Sequence, residues 1–393
     1  MVSKMIFTPA ASAAGWRERR PQILAETFLS PPAEMPHPHR RAQLGVLACL
    51  WLAAPCAAWT VFVPVSHAAE GPVHATRRHR AARIMMRGHS GRGVRRGENV
   101  AGEIFVDATC INCDTCRWMA PGTFAFVNGA SAVHSQPDGD AELFQALQAV
   151  AACPTGSIRT ENPQPRMKDA RDSFPRLMPE VSSGGVCVYH CGFHSRKSFG
   201  GASYFVAGGA GGNVLVDSPR YFKPLAQRLR ALGGVDFMFL SHRDDVADHA
   251  KWKEAFPAMQ RVIHAHEADA APGAERVLVG TGPWHMAGGG DGDGYISFQP
   301  GHTAGHLVLQ YHGVLFTGDH LAVTRQLGAL AAFRRFCWFD WDTQIESVGA
   351  LIADRQRDFR AILPAHGRAL ICASNREMET HLRQCLAWME SAA

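Results

Sequence analysis

Short apolar runs separated by polar and glycine-rich segments dominate the chain from about residue 181 onward. Runs of this kind are typical of strands buried in a sheet, and we place such strands at 213–217, 235–240 and 361–364. Longer amphipathic stretches at 221–232 and 375–391 predict helices. Because strands come before and after each group of helices, the pattern predicts a sandwich of sheets flanked by helices.

The region before this sandwich is organised around four cysteines. A short strand is predicted at 103–107, and the run C-I-N-C-D-T-C follows it. A helix predicted at 141–152 leads to a fourth Cys, which precedes a Pro. Three thiolates on one turning loop, with a remote Cys-Pro, suit a [4Fe–4S] cubane. A zinc site is the alternative, although such sites usually pair two C-x₂-C knuckles.

This cysteine pattern resembles the single-cluster bacterial-type [4Fe–4S] ferredoxins, because no second C-x₂-C-x₂-C run follows the first. The resemblance covers residues 99–165 and implies a domain that transfers single electrons. It also implies the four ligands of the cluster, which are Cys110, Cys113, Cys116 and Cys153.

Polar residues stand at the ends of the apolar runs in the second region. Asp217 ends Val-Leu-Val-Asp, His302 lies in P-G-H-T-A-G-H, Asp319 lies in L-F-T-G-D-H, and His366 lies in L-P-A-H-G. Each would lie at the rim of a sheet, where a rigid scaffold commonly places chemistry on loops.

The loop after the strand at 235–240 is the richest in candidate metal ligands. It reads S-H-R-D-D-V-A-D-H, from Ser241 to His249. Imidazole and carboxylate groups at this density suit zinc or iron. An ordinary solvated acidic turn is the alternative, and the downstream polar positions argue against it.

The second region resembles the metallo-β-lactamase superfamily, through G-H-T-A-G-H, T-G-D and P-A-H-G in this order after an Asp-His pair. The resemblance implies an αββα sandwich with a metal site at the edge between its sheets. Asp248 would orient the nucleophile or hold the metal, and Asp217 would brace the site. The metal ligands that it implies or leaves as candidates are His242, Asp244, Asp248, His249, His302, Asp319 and His366.

The loop departs from the H-x-H-x-D-H pattern of that superfamily. That pattern places two His before the Asp-His pair. When the loop is aligned on Asp248 and His249, those two positions hold Asp244 and Val246. When it is aligned on His242 instead, the loop is two residues longer than the pattern. Val246 cannot bind a metal. We therefore expect one intact metal position, formed by the Asp-His pair with the downstream Asp and final His, and leave a second one open.

Charge is unevenly distributed along the 393 residues. Residues 1–98 contain 14 Lys+Arg against 5 Asp+Glu, and residues 99–393 contain 26 against 30. The basic character belongs to the N-terminal part, so charge gives no reason to expect nucleic-acid binding by the folded part. Eleven Cys are too few for a disulfide scaffold of this size.

The first 98 residues look like a targeting leader. Basic residues precede the apolar stretch 44–58, which ends in small residues as a signal peptide does. The acid-free segment 71–97 contains eight Arg, as a transit peptide would, so the pair resembles the bipartite leader of plastid proteins in algae. A membrane anchor at 42–65 is the alternative; the mature protein is otherwise expected to have no membrane segment.

The predicted fold class is α+β, a small ferredoxin-like domain followed by an αββα metallo-β-lactamase sandwich. The domains are 1–98 as leader, 99–165 as ferredoxin, 166–180 as linker and 181–393 as sandwich. The first hypothesis for function is a metallohydrolase with one or two zinc or iron ions, acting on an unknown small molecule. The alternatives are a non-haem iron oxidoreductase fed by the cluster, with a redox partner protein, and a non-catalytic iron–sulfur protein.

Overall fold

We describe residues 91–287, 289, 294–354 and 358–392 of the protein in a computed structural model. The predicted signal and transit segments, and the alternative anchor at 42–65, lie outside the described residues except for the last residues of the leader. Within the described residues, no helix has both the length and the apolar character needed to cross a bilayer.

The cysteine-rich region forms a small domain of two short sheets and two helices. Its first and last strands pair antiparallel, with Ile104 opposite Thr160. A hairpin between them turns at Asn128-Gly129, both with positive φ, as a two-residue Asn-Gly turn requires. The elements are β1 (Ile104–Val106), α1 (Thr115–Met119), β2 (Phe124–Val127), β3 (Ala130–Val133), α2 (Gly139–Ala152) and β4 (Ile158–Thr160).

Segments on both sides of this domain are ordered parts of the fold. Arg96 N–H donates to the Val106 carbonyl, so the end of the predicted leader packs on β1. The predicted linker forms helix α3 (Met167–Asp172) and strand β5 (Arg176–Leu177). Its prolines fit this structure because β5 is an edge strand with Pro175 before it and Pro179 after it.

The remaining residues build two large sheets. The first has seven strands in the order β11-β10-β9-β8-β7-β6-β5, and the second has six in the order β12-β13-β14-β15-β18-β19. The strands are β6 (Cys187–His190), β7 (Tyr204–Ala207), β8 (Val214–Val216), β9 (Phe237–Phe239), β10 (Gln260–His264), β11 (Arg276–Leu278), β12 (Trp284–His285), β13 (Tyr295–Phe298), β14 (Leu307–Tyr311), β15 (Gly313–Gly318), β18 (Phe359–Pro364) and β19 (Leu370–Ile371), with β16 (Ala322–Val323) and β17 (Leu330–Ala331) as a separate pair.

Alternation along the strands of the first sheet builds two of the three core layers. In β8, Val214 and Val216 face the second sheet, whereas Leu215 faces the helices α4 (Lys223–Ala231) and α5 (His249–Ala255). Leu225 of α4 joins Leu215 in that outer layer. Each fully buried apolar side chain of this kind contributes roughly 1.5–3 kcal/mol.

The second sheet repeats the arrangement on its own outer side. Leu309 and Phe316 point into the layer between the sheets, and Leu315 packs against the helices α6 (Trp341–Ala353) and α7 (Asn375–Ser391). The order helix, sheet, sheet, helix is thus read directly from the three apolar layers, and it confirms the predicted αββα sandwich. Helix α6 ends at Ala353, and strand β18 begins at Phe359.

One apolar layer runs through both domains. It joins Ile104 and Phe124 of the small domain to Phe193, Leu215 and Trp252 of the sandwich. Since these side chains share one core, the small domain and the sandwich pack as parts of one folded unit.

Candidate metal centre and iron–sulfur site

The four predicted cluster cysteines line one cavity. The loop that carries the first three turns sharply at Asn112 and Asp114, both in the left-handed region with φ of 60° and 70°. Asn and Asp tolerate this conformation better than most residues. Cys153, at the end of α2, completes the lining of the cavity together with Cys110, Cys113 and Cys116.

Two of these cysteines, Cys116 and Cys153, are buried, and Cys110 and Cys113 are partly buried. Burial, with Cys153 nearby, raises the pKa of Cys113 to about 12, and burial raises the pKa of Cys116 well above its usual value. A bound cation would favour the thiolate form of these cysteines, which is the form that binds it. Arg117 holds the loop in place through bonds to Asp114, Asn112 and Ser131. The donor set and the shape of the loop therefore fit a [4Fe–4S] cluster.

The second site lies at one rim of the sandwich, where strands end. His242 follows β9, His302 follows β13, Asp319 follows β15, and His366 follows β18. Thus strands from both sheets bring residues far apart in sequence to one place.

Asp319 lies at the middle of this rim. His366 Nδ1 is 2.7 Å from Asp319 Oδ1, while His242 Nε2 and His302 Nε2 are 3.8 Å and 3.7 Å from Asp319 Oδ2. Asp245 lies on the other side, with Oδ2 3.9 Å from His242 Nδ1. Two overlapping sets of donor atoms could each hold one metal ion, namely His242, His302 and Asp319, and Asp245, Asp319 and His366.

Several buried polar atoms at this rim have no hydrogen-bond partner among the described residues. They include Nε2 of His242, both ring nitrogens of His302, Nε2 of His366 and both carboxylate oxygens of Asp245. Buried polar atoms are normally satisfied, so a group of orphaned nitrogen and oxygen atoms fits a missing cation. Imidazole and carboxylate donors suit zinc and iron alike.

The charge states at the rim also fit a cation. Burial lowers the pKa of His242 and of His302 to about 4, so both are neutral ligands at neutral pH. Burial opposes ionisation of Asp319, yet the nearby imidazoles, His366 first, hold its pKa well below the usual value. Burial, with Asp319 nearby, raises the pKa of Asp245 well above its usual value.

Neighbouring residues position these ligands. Asp217 Oδ1 accepts from the Ser241 N–H at 2.8 Å, and Ser241 Oγ shares a 3.0 Å hydrogen bond with His242 Nδ1. His306 stacks on His242 with centroids 5.0 Å apart, and its Nε2 accepts from the Asp319 N–H. These contacts leave Nε2 of His242 facing the rim.

The structure does not bring Asp248 and His249 to this centre. Asp248 accepts from the Tyr221 N–H and from Lys197 Nζ, at 3.0 Å and 2.8 Å. His249 Nδ1 lies 2.9 Å from Arg261. Asp248 caps α5 and His249 begins it, and neither belongs to the groups of donor atoms that lie within 4.8 Å of one another at the rim, so these groups differ from the predicted intact metal position.

Asp245 takes the place that the sequence assigned to that pair. A 3₁₀ helix over Arg243–Asp245 turns the chain directly after His242, so Asp245 is buried and faces inward. The charge of Asp244 acts from further out and, against the effect of burial, works to raise the pKa of His302 and His366. The sequence alone does not show which of Asp244 and Asp245 faces the site, because the tight turn decides this.

One segment, which we call the bridging loop (residues 199–201), touches both sites. A Cβ on Gly200 would lie 2.7 Å from Cys113 Cβ and 2.9 Å from its Sγ, and a Cβ on Gly201 would lie 2.8 Å from Asp245 Oδ1. The Phe199 backbone hydrogen-bonds to His366. Only glycines allow the chain to pass this close to both sets of ligands.

Known proteins resemble each part of the chain. Residues 106–160 match the family model described as the 4Fe-4S single cluster domain of Ferredoxin I. No curated protein matches the chain.

The solved structures that resemble it do so at low identity. DIM-1 metallo-β-lactamase exposed to ceftazidime is 17% identical over 56% of this chain and 97% of that one, with a TM-score of 0.42. An archaeal metallo-β-lactamase superfamily protein from Sulfolobus tokodaii is 17% identical over 47% and 79%, with a TM-score of 0.33. The metal-soaked Flv1 flavodiiron core from Synechocystis sp. PCC6803 is 16% identical over 54% and 60%, with a TM-score of 0.39.

These structural likenesses concern the fold, which the sheet order and the three apolar layers establish independently. The chain joins a segment that matches the single-cluster [4Fe–4S] ferredoxin domain to an αββα sandwich.

Proposed function

We propose that the protein is an oxidoreductase in which the ferredoxin domain delivers electrons to a metal held at the rim of the sandwich. The bridging loop is the observation that carries this proposal, because one three-residue segment lies against a cluster cysteine and against two residues of the metal centre. Hydrolysis alone would leave this proximity unexplained.

The distance between the two sites is short. The path runs from Cys113 Sγ to Gly200, along the backbone to Gly201, and then to Asp245. It consists of two close approaches and one Cα–Cα step, and its total length is no more than about 13 Å. Electrons tunnel directly through protein over distances of this order. When bound, the cluster supplies single electrons and the rim metal is the place where they are used.

The residues of the chain support this role by holding both groups firmly. Arg117 fixes the cysteine loop, while Asp217 and Ser241 fix His242. Iron suits the mixture of imidazoles and carboxylates at the rim. We further propose that a redox partner protein reduces the cluster and that the substrate is a small molecule.

A metallohydrolase is the second candidate. The rim also offers neutral, buried imidazoles beside a carboxylate, which is the donor set of catalytic zinc. Zinc bound there would lower the pKa of its water and supply hydroxide. The identity of the rim metal therefore separates the two candidates.

The test is metal analysis with electron paramagnetic resonance (EPR) on anaerobically purified protein. We expect iron beyond the four atoms of the cluster, and a rim metal that is reduced when the cluster is reduced. Cys113→Ser should slow that reduction while leaving the rim metal bound. Cys187→Ser, outside the cysteine cavity, is the matched control. Zinc with no iron beyond the cluster would support hydrolysis, and no metal beyond the cluster would support a non-catalytic protein.

A further inference from the structure

A cavity of about 260 Å³ lies between the ferredoxin domain and the sandwich, apart from the cysteine cavity and the donor atoms of the rim. The small domain contributes Arg117 and Trp118, which directly follow Cys116. The sandwich contributes Gly367 and Arg368, which directly follow His366. The walls of the cavity are therefore continuous with both metal-binding segments.

The charged side chains that line the cavity are all positively charged. Arg117, Arg176 and Arg368 line it, and none of the described residues lining it is acidic. Arg117 is paired with Asp114, but Arg176 and Arg368 form no ion pair within the described part of the chain. Arg368 Nε is buried without a hydrogen-bond partner among the described residues. Unpaired guanidinium groups that are partly removed from water favour an anionic partner.

The rest of the wall is largely apolar, and it also carries His190, whose buried Nδ1 has no hydrogen-bond partner among the described residues. Trp118 lies edge-on to His190, with ring centroids 5.0 Å apart, and Met178 adds apolar surface. The Tyr204 hydroxyl donates to the Pro364 carbonyl at 2.8 Å, so Tyr204 offers its ring rather than its hydroxyl. A ligand that fits these walls has an apolar body and one anionic end.

We propose that this cavity binds a small organic anion, a carboxylate or phosphate ester with an aromatic or aliphatic body. Arg176 and Arg368 bind the anionic end, and Trp118, Met178 and Tyr204 contact the body. The proposal goes beyond electron transfer, since it holds whether the rim metal is iron or zinc.

Calorimetric titration of the full, metal-loaded protein with benzoate and phenyl phosphate tests this binding, with benzamide as the neutral counterpart of benzoate. We expect at least one anion to bind and benzamide to bind at least about tenfold more weakly. Arg176→Gln and Arg368→Gln should each weaken anion binding about tenfold, and Arg368→Lys should retain most of it. Ala369→Trp, at an exposed position on the wall, should abolish binding by filling the space.

Arg376→Gln is the matched control, because Arg376 is an exposed arginine of α7 away from the cavity. It removes the same charge and should leave binding unchanged. Cluster absorbance and circular dichroism identify variants that fail to fold. The proposal is overturned by equal binding of benzamide, by an equal loss in Arg376→Gln, by unchanged binding in Ala369→Trp, or by no binding of either anion at millimolar concentration.

Discussion

Protonation decides when the rim can take up metal. His242 and His302 are neutral at neutral pH, because burial lowers the pKa of each to about 4. Burial opposes protonation of His366, but the Asp319 carboxylate raises its pKa, and burial raises the pKa of Asp245. The groups that hold a proton more firmly than usual, and at which protons compete with a metal, are therefore His366 and Asp245 rather than His242 or His302.

We expect the affinity for zinc to rise as the pH increases above about 6.5, the ordinary pKa of an imidazole, because the pKa of His366 is raised and fewer protons then compete for the ligands. Asp245→Asn removes one of the competing protons, so its affinity should rise less steeply with pH. Competition titrations with a chromophoric chelator measure both slopes. Identical slopes for the two proteins would mean that Asp245 is ionised before the metal binds.

Asp245 and Asp248 should respond differently to removal of their charge. Asp245→Asn should lower the metal content of the rim, because Asp245 faces Asp319 and His366. Asp248→Asn should keep the metal and cost about 1–2 kcal/mol of stability, because its carboxylate bonds the Tyr221 N–H and Lys197 instead. Metal analysis and urea unfolding distinguish the two; loss of metal in Asp248→Asn alone would restore the Asp-His pair as ligands.

For single residues, the sequence predicted which residue types form the site better than it predicted which positions they occupy. His302, Asp319 and His366 each end an apolar run, so the strand pattern itself indicated their common rim. The loop after β9 was different, because a 3₁₀ turn decides which of its acids faces inward. Nothing in the spacing of Asp244, Asp245 and Asp248 encodes that turn.

Among the structural elements, strand β15 ends in a conformation that only glycine adopts comfortably. Gly318 has φ of 51°, and a Cβ there would lie 2.5 Å from Ser241 Oγ and 3.0 Å from His306 Nε2. The close approach brings the end of β15 against the residues that orient His242. A larger residue would push these contacts apart.

Gly318→Ala should therefore lower metal affinity and cost about 2–4 kcal/mol of stability, the sum of backbone strain and overlap. Gly313→Ala is the matched control in the same strand, because Gly313 also has positive φ but no atom lies within 4 Å of its added Cβ. It should cost only the strain, about 1–2 kcal/mol, and leave the metal bound. Equal effects on metal affinity would show that overlap at Ser241 is not what matters.

Most elements were predictable from the sequence because their apolar periodicity is strong. Helix α7 has the predicted bounds, and strands β8 and β9 lie within the strands predicted at 213–217 and 235–240. The strand β5 was not predictable, since the prolines on either side of it, Pro175 and Pro179, and the charged residues nearby are typical of linkers. Packing at a sheet edge, rather than its own sequence, makes it a strand.

The molecule as a whole has a core that does not separate at the domain boundary. Phe193 of the sandwich packs on Phe174 and Phe222 with centroid distances of 5.6 Å and 4.6 Å, in the same layer as Ile104 of the ferredoxin domain. We expect the two domains to unfold in one transition. Cluster absorbance and far-ultraviolet circular dichroism, followed during anaerobic urea unfolding, should change together.

Phe193→Ala should lower the midpoints of both signals, at a cost of about 3–5 kcal/mol. Val308→Ala, in the layer outside the second sheet, serves as a control far from the ferredoxin domain. It too should move both signals together if the unit is cooperative. Loss of cluster absorbance before the change in circular dichroism would show that the ferredoxin domain unfolds independently.

The bridging loop also imposes an order on biogenesis. Gly200 lies directly against the sulfur of Cys113, so the folded sandwich covers one face of the cysteine cavity. We therefore expect iron and sulfide to reach the thiols more readily before this loop closes over them than afterwards. A chain that folds during iron starvation would close over empty cysteines, and repair would require partial unfolding rather than simple reloading.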